Sequence, residues 1–126
     1  MKECKIIRYA NLEVVYVNVQ DATAPEAMAV FDRSHEIIRT RPEKSVYSLV
    51  NAKGLRFNEE LLQKVKEVVK KNNPYNVATA VFGLSALTKL MVNSIVLFTK
   101  RQIKITETEE EAKEWLLSKS LAAETV

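Results

Sequence analysis

The chain has 126 residues, of which 47% are hydrophobic and 28% charged, and it carries a net charge of +3. That length and balance describe one folded domain with one core; they exclude a disordered chain and leave no room for a catalytic domain beside a regulatory one. A single cysteine, Cys4, excludes an internal disulfide and fits a reducing compartment.

The charge is uneven. Residues 1–106 carry 17 basic and 10 acidic side chains (+7), and residues 107–126 carry 2 basic and 6 acidic ones (−4). The lysines of the segment KVKEVVKK, 64–71, lie on the polar side of a helix, and no aromatic–basic RNA motif accompanies them, so a solvated surface and no nucleic-acid partner are expected. The N-terminus has no apolar run of signal-peptide length. The most apolar stretch, Leu84 to Phe98, is interrupted by polar residues and is shorter than the roughly 20 residues a transmembrane helix needs. The expected location is the cytoplasm, with no transmembrane segment.

In chain order, residues 3–9 and 12–20 are rich in Val, Ile and Tyr and read as two strands joined by a tight turn at Ala10-Asn11. Thr23 and Glu26 form a capping box, and Pro25 suits a first helical turn; Met28, Phe31, His35 and Ile38 share one face of the helix that follows. Residues 45–51 form a strand and Lys53-Gly54 a turn. Asn58 caps a second helix whose Leu61, Leu62, Val65, Val68 and Val69 recur at helical spacing. Residues 76–82 form the next strand, and Gly83 turns the chain. Ser85 caps a third helix running to about Lys100. Residues 103–105 are a short strand, and Thr108 with Glu111 opens a last helix through Trp115 to about Lys119. Residues 1–119 are expected to form one domain and 120–126 a frayed tail. Leu62, Val65, Val69, Val81, Leu87 and Trp115 are expected to be buried. The order ββαβαβαβα implies an α/β fold with a mostly parallel sheet and an opening antiparallel hairpin.

Three stretches, VYSLVNAKGLRFNEELLQ (46–63), PYNVATAVFGLSALTKLMVNSIVLFTKR (74–101) and ITETEEEAKEWL (105–116), together resemble the SpoIIAA-like family of STAS domains, also grouped as STAS/SEC14-like proteins. The resemblance implies a β/α superhelix acting as a non-enzymatic regulatory or protein-binding module. Its SEC14-like side implies the alternative, a carrier of a small nonpolar, lipid-like ligand. Anti-sigma factor antagonists of that family are switched by phosphorylating a serine at the start of the helix after the third strand. Here Phe57-Asn58-Glu59 holds that place, and no hydroxyl side chain lies in 52–59.

No nucleophile elbow, Walker loop or dinucleotide fingerprint appears, so no catalytic residue, cofactor or metal is expected. His35, the only histidine, reads as a half-buried structural residue, and Cys4 as packing. Because parallel sheets bind at their carboxyl ends, Lys53, Arg56 and Asn58 together with Gly83 and Ser85 make the expected binding edge. On the third helix, Leu87, Leu90, Met91, Ser94 and Phe98 read as the inner stripe. That leaves Val92 and Val96 facing outward near Lys89 and Lys100, either as two scattered exposed valines or as a patch for an unidentified protein partner, a second subunit or a nonpolar ligand. A homodimer through an apolar sheet face or the third helix is the expected assembly.

Overall fold

A computed structural model of the protein describes residues 2–99 and 102–124. Its elements run β1 (Glu3–Tyr9), β2 (Leu12–Asn18), α1 (Ala24–Ile38), β3 (Val46–Asn51), α2 (Glu59–Asn72), β4 (Asn76–Phe82), α3 (Ala86–Thr99), β5 (Ile103–Thr106) and α4 (Glu109–Glu124). The five strands form one sheet in the order β1-β2-β3-β4-β5; β1 and β2 are antiparallel and the remaining pairs parallel. This is the α/β architecture expected from the element order.

The local chemistry accounts for the boundaries. Thr23 and Glu26 exchange both capping-box hydrogen bonds at the start of α1. The Asn58 side chain accepts from the Leu61 N–H at 2.9 Å at the start of α2. Thr108 and Glu111 repeat the box at the start of α4. Ala10, in the β1–β2 turn, adopts φ 54°, a left-handed conformation that Asn or Gly would take at lower cost. The last helix continues five residues past the expected Lys119, through Glu124, with Leu116 and the half-buried Leu117 anchoring its middle on the sheet.

Two cores flank the sheet. On one face α1, α2 and α3 close over Val15, Val17, Val19, Val46, Val50 and Val81. On the other, α4 presses Ala112 and Leu116 against Val14, Tyr47, Leu49, Ala78, Ala80 and Phe82. Every residue of β3 is consequently buried, as in a central strand covered on both faces. Helices thus occupy both sides, and α4 covers the sheet face through which a dimer was expected.

Leu62 and Val81 are buried as expected, whereas Val65, Val69 and Trp115 are half-buried. Leu87 is 71% exposed and Leu90 70%, while Val92 is 8% and Ile95 1% exposed. The buried stripe of α3 is Thr88, Val92 and Ile95, with Met91 half-buried beside it. The helix is therefore rotated by about one residue, roughly 100°, from the expected orientation. α3 is apolar almost all round, so periodicity alone does not select its inner face. The buried Leu84 and the Ser85 cap set its phase. Phe98, assigned to the inner stripe, and Lys100, assigned to the patch, have side chains outside the described residues.

Candidate functional site at the carboxyl edge and the third helix

At the carboxyl end of the parallel strands the connecting loops are stacked one on the next. The Val19 N–H donates to the Asn51 carbonyl at 3.0 Å, Asp21 N–H to Lys53 at 2.8 Å, Ala52 N–H to Phe82 at 2.9 Å, and Arg56 N–H to Ala22 at 3.0 Å. Each glycine of the edge admits a neighbour from the preceding loop. Gly54, at φ 67°, leaves space that the Asp21 carboxylate fills, and Gly83, at φ 85°, leaves space that Lys53 fills. The Lys53 ammonium also stands 5.8 Å from the centre of the Phe82 ring, within cation–π range.

Buried Asn51 ties this edge together. Its amide group donates to Gln20 Oε1 at 3.0 Å and to the Tyr16 hydroxyl at 3.2 Å, and its carbonyl accepts from the Lys53 N–H at 3.2 Å. Tyr16, Gln20, Asp21 and Asn51 were not among the residues singled out from sequence. The available signal was the set of polar residues closing the strands, Asn18, Gln20, Asp21 and Asn51.

The structure brings Lys53, Gly83 and Ser85 together, with Arg56 and Asn58 in the adjoining loop. Lys53 and Arg56 are exposed. Asn58 and Ser85 spend their oxygens on their own helices, Ser85 accepting from the Thr88 N–H at 3.2 Å. These corners are therefore ordinary caps first. Exposed Glu107 pairs with Lys89 at the far end of the edge.

Val92 does not face outward. It packs in the core with Leu84, Val50 and Val81, and Val96 is half-buried. The outward face of α3 instead carries Leu87 and Leu90, one turn apart, with exposed Ser94 one turn beyond. Beneath the helices lies a cavity of about 80 Å³. Its walls are mostly apolar, including Phe31, Val65, Val92 and Ile95, with Ser34, Ser48, Asn72, Asn76 and Thr79 as the polar members of the lining.

His35 bridges α1 to α2, its Nδ1 lying 2.7 Å from Oδ1 of buried Asn72. Burial raises the Cys4 thiol to about 11, against a smaller opposing pull from Arg33. Such a thiol stays protonated at neutral pH. Among the described residues no group of three or more His, Cys, Asp and Glu side chains is placed to hold a metal ion, and no helix is long and apolar enough to cross a membrane.

No protein-family model matches the chain, and no curated protein matches it. Several solved structures share its fold, two of them as follows. One is an uncharacterised protein of the DUF3478 family with a SpoIIAA-like fold from Shewanella loihica, 15% identical, with a TM-score of 0.71 over 90% of this chain and 91% of that one. The other is an anti-sigma-factor antagonist (STAS) domain protein from Planctomyces limnophilus, 12% identical, with a TM-score of 0.64 over 91% of this chain and 98% of that one. The chain thus has the SpoIIAA-like, STAS-type fold.

Proposed function

We propose that this SpoIIAA-like domain is a non-enzymatic regulatory module that works by docking a protein partner on the outward face of α3. The observation that carries the reading is the exposure of Leu87 and Leu90, the two most exposed large apolar side chains among the described residues. Scattered single apolar residues on a surface are ordinary, but two leucines one turn apart make a ridge of the kind that fills a partner's pocket. The ridge follows directly on the Gly83-Ser85 corner, so a partner seated on it also reaches Lys53. The STAS domain among the structural neighbours is named as an anti-sigma-factor antagonist, which is consistent with a role in protein contacts.

The carrier alternative needs an apolar space of several hundred Å³. The cavity of about 80 Å³ beneath the helices falls well short of that.

The test uses a photo-crosslinking amino acid at position 87 in the cells that make the protein, with the exposed position 63 of α2 as the reference. A discrete protein adduct is expected from 87, absent from 63, and lost when Leu90 is also changed to Glu. Equal adducts from both positions would overturn the docking surface. A lipid retained through purification and seen by native mass spectrometry would overturn the reading in favour of a carrier.

A further inference from the structure

The sheet has two edges, and they differ. β5 is a four-residue strand, whereas β1 runs seven residues, Glu3–Tyr9, with no proline, glycine or bulge. Among the described residues no strand pairs with its outer side. Because the loop to β2 has only two residues, Tyr9 and Leu12 form a hydrogen-bonded pair, and the alternation places Ile7/Val14, Lys5/Tyr16 and Glu3/Asn18 in the same class. The backbone N–H and C=O groups of Cys4, Ile6 and Arg8 therefore point away from the sheet, a template for one more strand.

The side chains along this edge select what can pair with it. Glu3 and Lys5 flank Cys4 and lie on the same face of the strand, 3.8 Å apart at their charged ends. An antiparallel copy of the same strand centred on Cys4 sets Glu3 of each copy opposite Lys5 of the other. Shifting the centre to Lys5 sets two lysines face to face, shifting it to Glu3 sets two glutamates face to face, and centring on Arg8 opposes two arginines. The register centred on Ile6 has no like-charged pair, but it gains no opposite-charged one either. The tripeptide Glu3-Cys4-Lys5 is self-complementary in one antiparallel register, and charges that normally blunt an edge here specify a partner.

We propose that β1 is a self-association surface, on which a second copy of this chain adds antiparallel about a two-fold axis at Cys4 to make a continuous ten-stranded sheet. The contact is isologous and uses backbone groups and exposed charges, so it does not depend on the Leu87/Leu90 surface. A Leu87→Glu/Leu90→Glu variant should self-associate like the unmodified protein.

Sedimentation velocity from micromolar to millimolar concentration tests it. The unmodified chain should show a reversible dimer whose affinity falls as salt rises. Lys5→Glu opposes two pairs of glutamates and should weaken the dimer about tenfold. The double exchange Glu3→Lys/Lys5→Glu is again self-complementary and should restore it. Amide exchange supplies a readout that needs no variant: the Cys4 and Ile6 amides should slow as concentration rises, while those of Lys5 and Ile7 are already protected. A strict monomer throughout, a dimer indifferent to Lys5→Glu, or Cys4 and Ile6 amides unaffected by concentration would each overturn the proposal.

Discussion

Lys53 occupies the room left by the missing side chain of Gly83: a Cβ there would stand 2.4 Å from Lys53 Cγ and 2.9 Å from the Lys53 backbone nitrogen. The position also has φ 85°. Gly83→Ala therefore meets backbone as well as a left-handed conformation, and should cost more than about 2 kcal/mol. At Gly54 the obstacle is chiefly the Asp21 carboxylate, a side chain that can turn aside. Gly54→Ala should cost only about 1–2 kcal/mol. Urea denaturation of the two variants compares them directly, and equal losses would mean that the loops do not stack as described.

The third helix gives the sharpest contrast. Ile95→Ala removes a fully buried side chain and should cost about 2–5 kcal/mol. Leu87→Ala, at an exposed position, should stay within about 0.5 kcal/mol. A large loss at Leu87 with none at Ile95 would return the helix to the orientation expected from its sequence.

Asn58 caps α2 through one hydrogen bond to the Leu61 N–H. Asn58→Ala should lower stability by about 0.5–2 kcal/mol, and Asn58→Ser should recover most of it. Thermal unfolding measures both. A variant of full stability that no longer forms the adduct at position 87 would show that Asn58 touches the partner.

Two groups set opposite limbs of the pH profile. Hydrogen bonds from the Thr23 backbone and hydroxyl hold the Glu26 carboxyl below its ordinary value near 4.5. Its stabilising contribution is present above that value and is lost as pH falls through the lowered one. Glu26→Gln, which removes the titrating group, should flatten the acid limb. Burial raises Cys4 from about 9.0 to about 11. Its contribution is full below the lower figure and is lost as pH rises toward the higher one. Cys4→Ala should flatten stability over that window. In the intact fold at pH 8, iodoacetamide should label Cys4 far more slowly than in the urea-unfolded chain.

Much of this architecture is legible in the chain because its signals are local. Thr23 with Glu26, Asn58 and Thr108 with Glu111 announce helix starts through hydrogen bonds spanning only three residues. The strands follow from runs such as NVATAVF, and the parallel order from their alternation with helices. The carboxyl edge was legible in outline for the same reason: strand ends and helix caps locate it. What Asn51 does there was not, because its partners Tyr16 and Gln20 lie 35 and 31 residues away in the chain.

The chain by itself determined the order of elements, their caps, and the loops that meet at one end of the sheet. Each of these rests on contacts between near neighbours in sequence. Only the tertiary structure decided which side of α3 is buried and that α4 crosses to the opposite face of the sheet. α3 has apolar residues on nearly every side, so its pattern permits several orientations of similar hydrophobic gain. The choice falls to the shape of the surface it meets, where Val92 joins the core that holds Val50, Val81 and Leu84, and that surface does not exist until distant strands have paired.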